Sequence, residues 1–269
     1  MRCYVSGGTG VKRDDRQQAI MDLLVTDGEV ELDALADRFA VSRMTIHRDL
    51  DDLEGAGLLR KIRGGATIRS GTQFESDFRF RERQGTTAKM AMAQAALRLV
   101  EPGMTVMIND GSMAAILGQQ LAACRPLTVI TNNAAVMDTL KAEAGITLIA
   151  LGGVYSAKFN AYLGKVTEDA LAHLRADVAF ISAPAVSGLE VFHMDETVVR
   201  SKQAMMRQGA CRVLLVNHSR FGNAALHRLA ALSEFDHIIT DQPPAPEARA
   251  ALDEAGLTLT IADPQEAEA

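Results

Sequence analysis

The chain has 269 residues, 48% of them hydrophobic and none of them tryptophan, which is room for two domains and a sizeable buried core. Its 28 Lys and Arg against 34 Asp and Glu give a formal charge of -6, excluding a uniformly basic nucleic-acid coat but not a local basic patch. The longest uncharged stretches, such as residues 111–124 and 144–157, fall short of the roughly 20 apolar residues of a membrane span, so no membrane helix is expected. Cys3, Cys124 and Cys211 form no CxxC pair, and the first residues hold no apolar leader-like run. Both features argue against a disulfide framework or a cysteine zinc site and point to the cytoplasm.

Residues 1–13 are polar and glycine-rich and are expected to be a disordered tail. The stretch from Ser6 to Arg13 lacks the Gly-Lys-Ser/Thr of a phosphate loop. Over residues 14–71 the apolar spacing is helical and short-stepped. Ile20, Leu23 and Leu24 stripe a first helix; Leu32, Leu35, Ala36 and Phe39 stripe a second of barely two turns. Ser42 can cap a third helix whose buried face is Ile46, Leu50 and Leu53, and which ends before Gly55 and Gly57. Residues 58–68 flank a Gly-Gly pair with branched and apolar residues, the composition of a small hairpin, and complete a winged helix-turn-helix.

Residues 72–86 are charged and aperiodic and are read as a linker. Residues 87–262 then alternate helical stripes with short apolar runs at 104–108, 127–131, 146–151, 178–182, 212–216, 237–240 and 257–261. Helices are expected at 87–100, 113–124, 134–143, 166–175, 195–208 and 246–255, which predicts a mainly parallel sheet flanked by helices. Residues 263–269 are expected to be a second disordered tail.

An α-helix fits the major groove, and its first turns must carry side chains that reach bases and phosphates. With Ile46, Leu50 and Leu53 facing inward, the outer face of the third helix carries Arg43, Met44, Thr45, His47 and Arg48, behind the Ser42 cap. Asp49, Asp51 and Asp52 lie further along and are expected to repel DNA, leaving the helix start as the reading end. The hairpin adds Arg60, Lys61, Arg63 and Arg69 with no acid among them, and Gly64 and Gly65 permit a tight turn near a phosphate. Residues 30–66, VELDALADRFAVSRMTIHRDLDDLEGAGLLRKIRGGA, closely resemble the DNA-binding domain of DeoR-family bacterial transcriptional repressors, with His47 where that family usually has Arg. The resemblance implies double-stranded operator DNA as partner.

Ligands of open parallel sheets bind at the carboxyl ends of the strands. There the chain places Asn109-Asp110-Gly111-Ser112 leading into a helix, Asn132-Asn133, Gly152-Gly153, and Asn217-His218-Ser219-Arg220-Phe221-Gly222. A helix start with a hydroxyl and a nearby arginine suits a phosphate. The second domain is similar to the DeoR-family sensor, whose fold resembles ribose-5-phosphate isomerase and which binds phosphorylated sugars or polyols. The likeness spans residues 14–262, includes the MDETVVRSKQAMM helix with Lys202, and within the family resembles glycerol-3-phosphate repressors in the 217–222 loop and ITDQPP. It implies an effector held by Asp110, Gly111, Ser112, Asn132, Asn133, Gly152, Gly153, Lys202, Asn217, Ser219 and Arg220, with no cofactor, no metal and no catalytic residue. A homo-oligomer, dimer or tetramer, is expected because a single short helix reads few base pairs, whereas paired heads on repeated half-sites multiply affinity. Met113 and Asn217 depart from the family pattern, as does Ala183-Pro184-Ala185, which replaces a more glycine-rich turn.

Two other readings compete. One is a sugar-phosphate isomerase-like enzyme with a DNA-binding appendage, using Asp195, Glu196 or Lys202 as acid-base groups. The other is a DNA-binding regulator whose sensor has lost its ligand, as Met113 and Asn217 suggest. His173, His193, His227 and His237 show no metal-ligand spacing, and Met194, Met205 and Met206 are read as helix core.

Overall fold

The computed structural model describes residues 12–55, 58–67 and 78–262, and the chain divides into two compact units, Met1–Phe80 and Arg81–Ala269. Residues 1–11 and 263–269 of the expected tails, Arg69, and residues 72–77 of the expected linker lie outside the described residues.

The first unit runs α1 (Arg13–Asp27), β1 (Glu29–Glu31), α2 (Leu32–Phe39), α3 (Arg43–Gly55), β2 (Arg60–Ile62) and β3 (Gly65–Thr67). Ala40 closes α2 in the left-handed region at a φ of 51°, letting the chain reverse at once into α3. Ile20, Leu24, Leu35, Ile46, Leu50 and Leu53 form the buried core that the helical spacing foretells. The wing has a strand beyond the expected hairpin, because β1 pairs with β3 and gives a sheet ordered β1-β3-β2.

A buried ion pair fastens α1 to α3. Arg16 Nε lies 2.5 Å from Asp49 Oδ2, Nη2 reaches Asp49 Oδ1 at 3.1 Å, and both side chains are buried. Asp49 therefore shares the inward face with Ile46, Leu50 and Leu53 instead of facing DNA.

The second unit comprises α4 (Phe78–Arg83), α5 (Thr86–Leu97), β4 (Thr105–Ile108), α6 (Ser112–Gln120), β5 (Leu127–Thr131), α7 (Ala134–Leu140), β6 (Ile146–Ala150), β7 (Val154–Ser156), β8 (Ala161–Leu163), α8 (Lys165–Ala172), β9 (Ala176–Ser182), β10 (Ala185–Ser187), β11 (Glu190–His193), α9 (Glu196–Gln208), β12 (Gly209–Leu215), β13 (His227–Ala231), β14 (His237–Thr240), α10 (Pro246–Glu254) and β15 (Thr260–Ile261), the boundary between the units falling inside α4. The linker expected at 72–86 is thus helical in its later part: Phe78 is buried and anchors α4, and good helix formers follow it.

Among the described residues, seven strands form one sheet ordered β15-β14-β12-β9-β4-β5-β6, and every adjacent pair is parallel. Alternate side chains face opposite layers. Val106, Ile108, Val178, Phe180 and Val213 pack against α5, α6 and α7, whereas Met107, Ala179, Ile181 and Leu214 pack against α8, α9 and α10. The β7–β8 hairpin and the antiparallel β10-β11-β13 sheet were not foreseen from the sequence pattern. The chain builds β4, β5 and β6 outward in one direction, then returns to lay β9 on the other side of β4 and continues outward through β12, β14 and β15. The order reverses between β4 and β9, so the loops at their carboxyl ends diverge and leave a crevice.

β11 ends at His193, which is buried and accepts a hydrogen bond on Nδ1 from the Asp195 N–H at 3.1 Å, leaving its proton on Nε2. Burial, with Lys202 adding to it, pushes the imidazole pKa down to about 3.

Two outcomes are expected. Asp49→Ala removes the carboxylate from beside a buried guanidinium, and urea unfolding of the full chain should show the first unit destabilised by about 3–5 kcal/mol. His193 binds its proton near pH 3 when folded but at its ordinary 6.5 when unfolded, so the unfolded state carries the extra proton throughout that window and stability falls as pH drops through it. Between pH 7 and pH 5 this group should remove about 2 kcal/mol, and His193→Gln should flatten that part of the stability curve.

Candidate functional site

Each unit carries one candidate site. In the first, the Ser42 hydroxyl accepts from the Thr45 N–H at 3.1 Å and contacts the Thr45 hydroxyl at 2.9 Å, fixing the start of α3. Arg43, Met44, His47 and Arg48 are exposed on the first two turns, and Met44 is exposed to 61% although apolar. Arg43 is held by Asp33, with Nε to Oδ1 at 2.7 Å.

The wing divides its predicted residues. Arg60, Arg63 and Gly64 are exposed, and Gly64 takes the turn at a φ of 86°. Gly65 is buried instead: a Cβ there would stand 1.9 Å from the Val30 carbonyl oxygen, so glycine is required by strand packing, not by a phosphate. Lys61 is tied back to α3 through Asp51, and its N–H donates to Glu54 at 2.7 Å. The acids expected to repel DNA are each paired, Asp49 with Arg16, Asp51 with Lys61 and Asp52 with Arg13.

In the second unit a cavity of about 370 Å³ lies at the carboxyl ends of β4, β9 and β12. Ser112 and Met113 open α6 there, presenting the first N–H groups of the helix. Ser182, Ala183 and Pro184 follow β9, and Asn217, Ser219 and Arg220 follow β12. Lys202 enters from α9, and Arg81, Gln84, Gly85 and Lys89 enter from α4 and α5. The lining thus holds the cations Arg81, Lys89, Lys202 and Arg220, and among the described residues lining it there is no carboxylate.

Beneath this lining lies an ordered polar floor. Asn109 Oδ1 accepts from the Ser182 N–H at 3.0 Å, and its Nδ2 donates to Ser182 Oγ and to Asp110 Oδ1, each at 3.3 Å. Lys202 Nζ donates to the Ser182 carbonyl at 2.7 Å and stands 3.5 Å from Asp110 Oδ1. Burial pushes the Asp110 carboxyl up, but Lys202, His193 and Arg81 outweigh it and hold the group below the usual carboxylate range. Burial likewise lowers the Lys202 ammonium, and Asp110 opposes this only in part. Asp110 Oδ2 has no hydrogen-bond partner among the described residues. Gly111 adopts a φ of 104°, and a Cβ there would come within 3.3 Å of Ser182 Oγ.

Of the predicted effector residues, Ser112, Lys202, Asn217, Ser219 and Arg220 line this cavity, and Asp110 and Gly111 lie directly behind it. Asn132, Asn133, Gly152 and Gly153 do not line it. Asn132 donates to the Tyr162 carbonyl at 3.0 Å. Asn133 caps α7 through Oδ1 and donates to the carbonyls of Asn109 and Gly111 at 3.3 and 3.0 Å. The Gly152 carbonyl accepts from Thr167, and a Cβ on Gly153 would strike the same side chain. Asn132 Oδ1 is buried without a hydrogen-bond partner among the described residues. Arg81, Gln84, Gly85, Lys89 and Met92 were not foreseen; residues 72–86 show no period that could mark their first members, and Lys89 and Met92 sit in a helix read only for its apolar stripe.

The 217–222 loop is fixed by the buried Asp241, which accepts from Asn217 Nδ2 at 2.8 Å, from the His218 N–H at 2.7 Å, and faces His218 Nδ1 at 2.8 Å. Asn217 Oδ1 accepts in turn from Ser219 N–H and Oγ at 2.9 and 2.6 Å. The expected acid-base groups do not converge: Asp195 caps α9 by accepting from Thr197 and Val198, and Glu196 is exposed and pairs with Arg200. Among the described residues no group of acids, histidines and cysteines could hold a metal, and no helix is long and apolar enough to cross a membrane.

Comparison with known proteins agrees with this division. Residues 16–72 match the DeoR-like helix-turn-helix domain, and residues 84–242 match the DeoR C terminal sensor domain. The chain is 32% identical to the uncharacterized HTH-type transcriptional regulator YgbI of Escherichia coli K12, over 92% of this chain and 97% of that one. It is 27% identical to the glycerol-3-phosphate regulon repressor of the same organism, over 87% and 93% of the two chains. Ribose 5-phosphate isomerase A of Methanocaldococcus jannaschii superposes with a TM-score of 0.36 at 18% identity, covering 49% of this chain and 53% of that one. With both domain models matched in order along the chain, and a relative aligned over nearly its whole length, this protein belongs to the DeoR family of DNA-binding transcriptional regulators.

Proposed function

We propose that the protein is a repressor of a sugar or polyol catabolic operon, acting in the cytoplasm as a homo-oligomer, dimer or tetramer, and that a phosphorylated sugar or polyol controls its hold on DNA. Glycerol 3-phosphate is the first candidate, given the glycerol-3-phosphate regulon repressor among its relatives. The observation that carries the reading is the cavity itself: four cations, three serine hydroxyls and the start of α6 converge where the strand order reverses, with no carboxylate among the described residues of the lining. Such a site suits a phosphate ester. On the DNA side, Arg43, Met44, Thr45, His47 and Arg48 on α3 read the major groove, while Arg60, Arg63 and Gly64 of the wing meet the backbone. Repeated heads on an oligomer multiply the few base pairs that one short helix reads.

An isomerase reading is not favoured, because Asp195 is engaged as a helix cap and Glu196 points to solvent beside Arg200. The reading in which the sensor has lost its ligand is weakened by Asn217, whose amide nitrogen donates to Asp241 as a carboxylate could not.

Footprinting upstream of the neighbouring genes, with and without glycerol 3-phosphate and a panel of other sugar and polyol phosphates, tests both halves. Effector is expected to change operator affinity by about 5–150-fold. Arg48→Ala should weaken specific binding by about 5–150-fold, the worth of one bidentate base contact, while Arg220→Ala should leave DNA binding in place and abolish the response. Specific binding that survives Arg43→Ala and Arg48→Ala together would overturn the reading-helix assignment.

A further inference from the structure

The seven-stranded sheet of the second unit ends on one side at β15, two residues long, and on the other at β6. β6 runs for five residues, Ile-Thr-Leu-Ile-Ala, in continuous register with β5. The bonds at its two ends show which side is open. The Leu127 N–H donates to the Gly145 carbonyl at 3.0 Å and the Leu151 N–H to the Thr131 carbonyl at 2.9 Å, so Gly145, Thr147, Ile149 and Leu151 turn their main-chain groups to β5. Alternation then turns those of Ile146, Leu148 and Ala150 away from the sheet. The Ile146 N–H is taken by the Glu143 carbonyl at 3.3 Å. The Ile146 carbonyl and both groups of Leu148 and Ala150 have no hydrogen-bond partner among the described residues.

An open edge of this kind templates pairing with another strand, and proteins ordinarily guard it with lysine, proline, a bulge or brevity. β6 has none of these. Among the described residues the other edge strand longer than three residues is β13, which carries Arg228, paired with Glu190, and has a shifted register with β11. By contrast, residues 144–157 include no charge at all. The apolar surface continues past the strand, with Val154 exposed to 74% and Val166 to 64%. The start of α8 stands against this run, since a Cβ on Gly153 would lie 2.4 Å from Thr167 Oγ1.

The charges that bound the run select the occupant. Glu143 precedes its amino end and is exposed, and Lys158 follows its carboxyl end. The nearby Lys141 and Lys165 are paired locally with Asp138 and Asp169. A strand laid antiparallel from a second copy brings the Glu143 end of each run towards the Lys158 end of the other, whereas a parallel strand would set like against like. We propose that β6 is the interface of the homo-oligomer, pairing antiparallel with β6 of a second copy about a twofold axis through Leu148. Leu148 then exchanges both main-chain bonds with the same residue of the second copy. Each Ala150 N–H donates to the Ile146 carbonyl opposite, in keeping with an Ile146 N–H that is already engaged. Two seven-stranded sheets become one, and one particle carries two DNA-reading units. This pairing rests on the homo-oligomeric reading above and gives it a surface.

Ala150→Pro tests it. Ala150 is exposed and its N–H faces away from β5, so proline there removes a donor to the second copy and none within the sheet. In sedimentation of the full chain, at a concentration where the wild type is fully assembled, the variant particle should have half the mass. Loss of two hydrogen bonds per pair should raise the dissociation constant at least about tenfold, with the far-ultraviolet circular dichroism of the wild type retained. Leu148→Cys reads the same axis whether or not the proline variant folds. Residues opposite one another in an antiparallel pair stand about 5.5 Å apart at Cα, within the roughly 4.4–6.8 Å span of a disulfide. Mild oxidation should therefore give a covalent dimer that dithiothreitol releases, and the wild type, with Cys3, Cys124 and Cys211, should give none.

A folded Ala150→Pro of wild-type mass, or a Leu148→Cys that forms no covalent dimer, would overturn β6 as the interface and leave the homo-oligomer standing on another surface. A wild-type chain that sediments as a monomer would overturn the homo-oligomer and this pairing with it, leaving the edge to a strand of another protein.

Discussion

Two neighbouring parallel strands whose chains leave in opposite directions cannot satisfy one another beyond their last shared pair. At the ends of β4 and β9 that vacancy is filled by Asn109, which takes the Ser182 N–H on its own amide oxygen and gives its amide hydrogens to Ser182 Oγ and Asp110. A buried backbone donor left without a partner would cost about 1–3 kcal/mol, so a single amide side chain is what allows the crevice to exist at that point in the sheet. From it hang the Gly111 turn, the start of α6 and the Ser182 carbonyl that receives Lys202. Asn133 braces the same turn from β5 by donating to the Asn109 and Gly111 carbonyls. The floor of the cavity is therefore held by hydrogen bonds among asparagine, serine and main chain.

The two units treat charge in opposite ways, and the net -6 hides the difference. In the first, the three aspartates of α3 are matched one by one, Asp49 to Arg16, Asp51 to Lys61 and Asp52 to Arg13. That pairing removes much of the repulsion that three adjacent carboxylates would direct at a phosphate backbone, and it draws Lys61 into the fold. In the second unit the described residues that line the cavity include four cations and no carboxylate, and Asp110 beneath them answers to Lys202. An apolar wall of Met92, Met113 and Leu215 lowers the local dielectric, strengthening the attraction for an anion and the mutual repulsion of the cations before it arrives.

The strands of the main sheet were legible because a strand buried on both faces must be a continuous apolar run, and 104–108, 127–131 and 178–182 are such runs. Strands of three residues, such as Val154–Ser156 and Ala185–Ser187, leave no period long enough to read. The winged helix was legible from Ile46, Leu50 and Leu53, but the partners of Asp49 and Gly65 were not, since Arg16 and Val30 are brought to them only by tertiary packing. Loops at strand ends looked equivalent in sequence, yet among the described residues those following β4, β9 and β12 line the cavity, whereas β6 lies at the edge of the sheet and Asn132 and Asn133 bond to neighbouring main-chain carbonyls. Arg81 and Gln84 were hidden for a different reason, because an aperiodic charged stretch has the same appearance whether it is solvated or folded over a site.

The positions at which the chain departs from its family pattern acquire a physical meaning once they are placed. Met113 removes a hydroxyl from the lining, but the backbone N–H at that position still belongs to the open first turn of α6, so the dipole and the donors that attract an anion persist while the wall becomes more apolar. At 217 the exchange works through Asp241: an amide donates to that buried carboxylate and accepts from Ser219, so it joins the two ends of the loop, whereas a carboxylate at 217 would set two like charges 2.8 Å apart. With Asn217 in place the loop that carries Ser219 and Arg220 is tied to Asp241 by hydrogen bonds. Both departures leave intact the elements that make it a cavity.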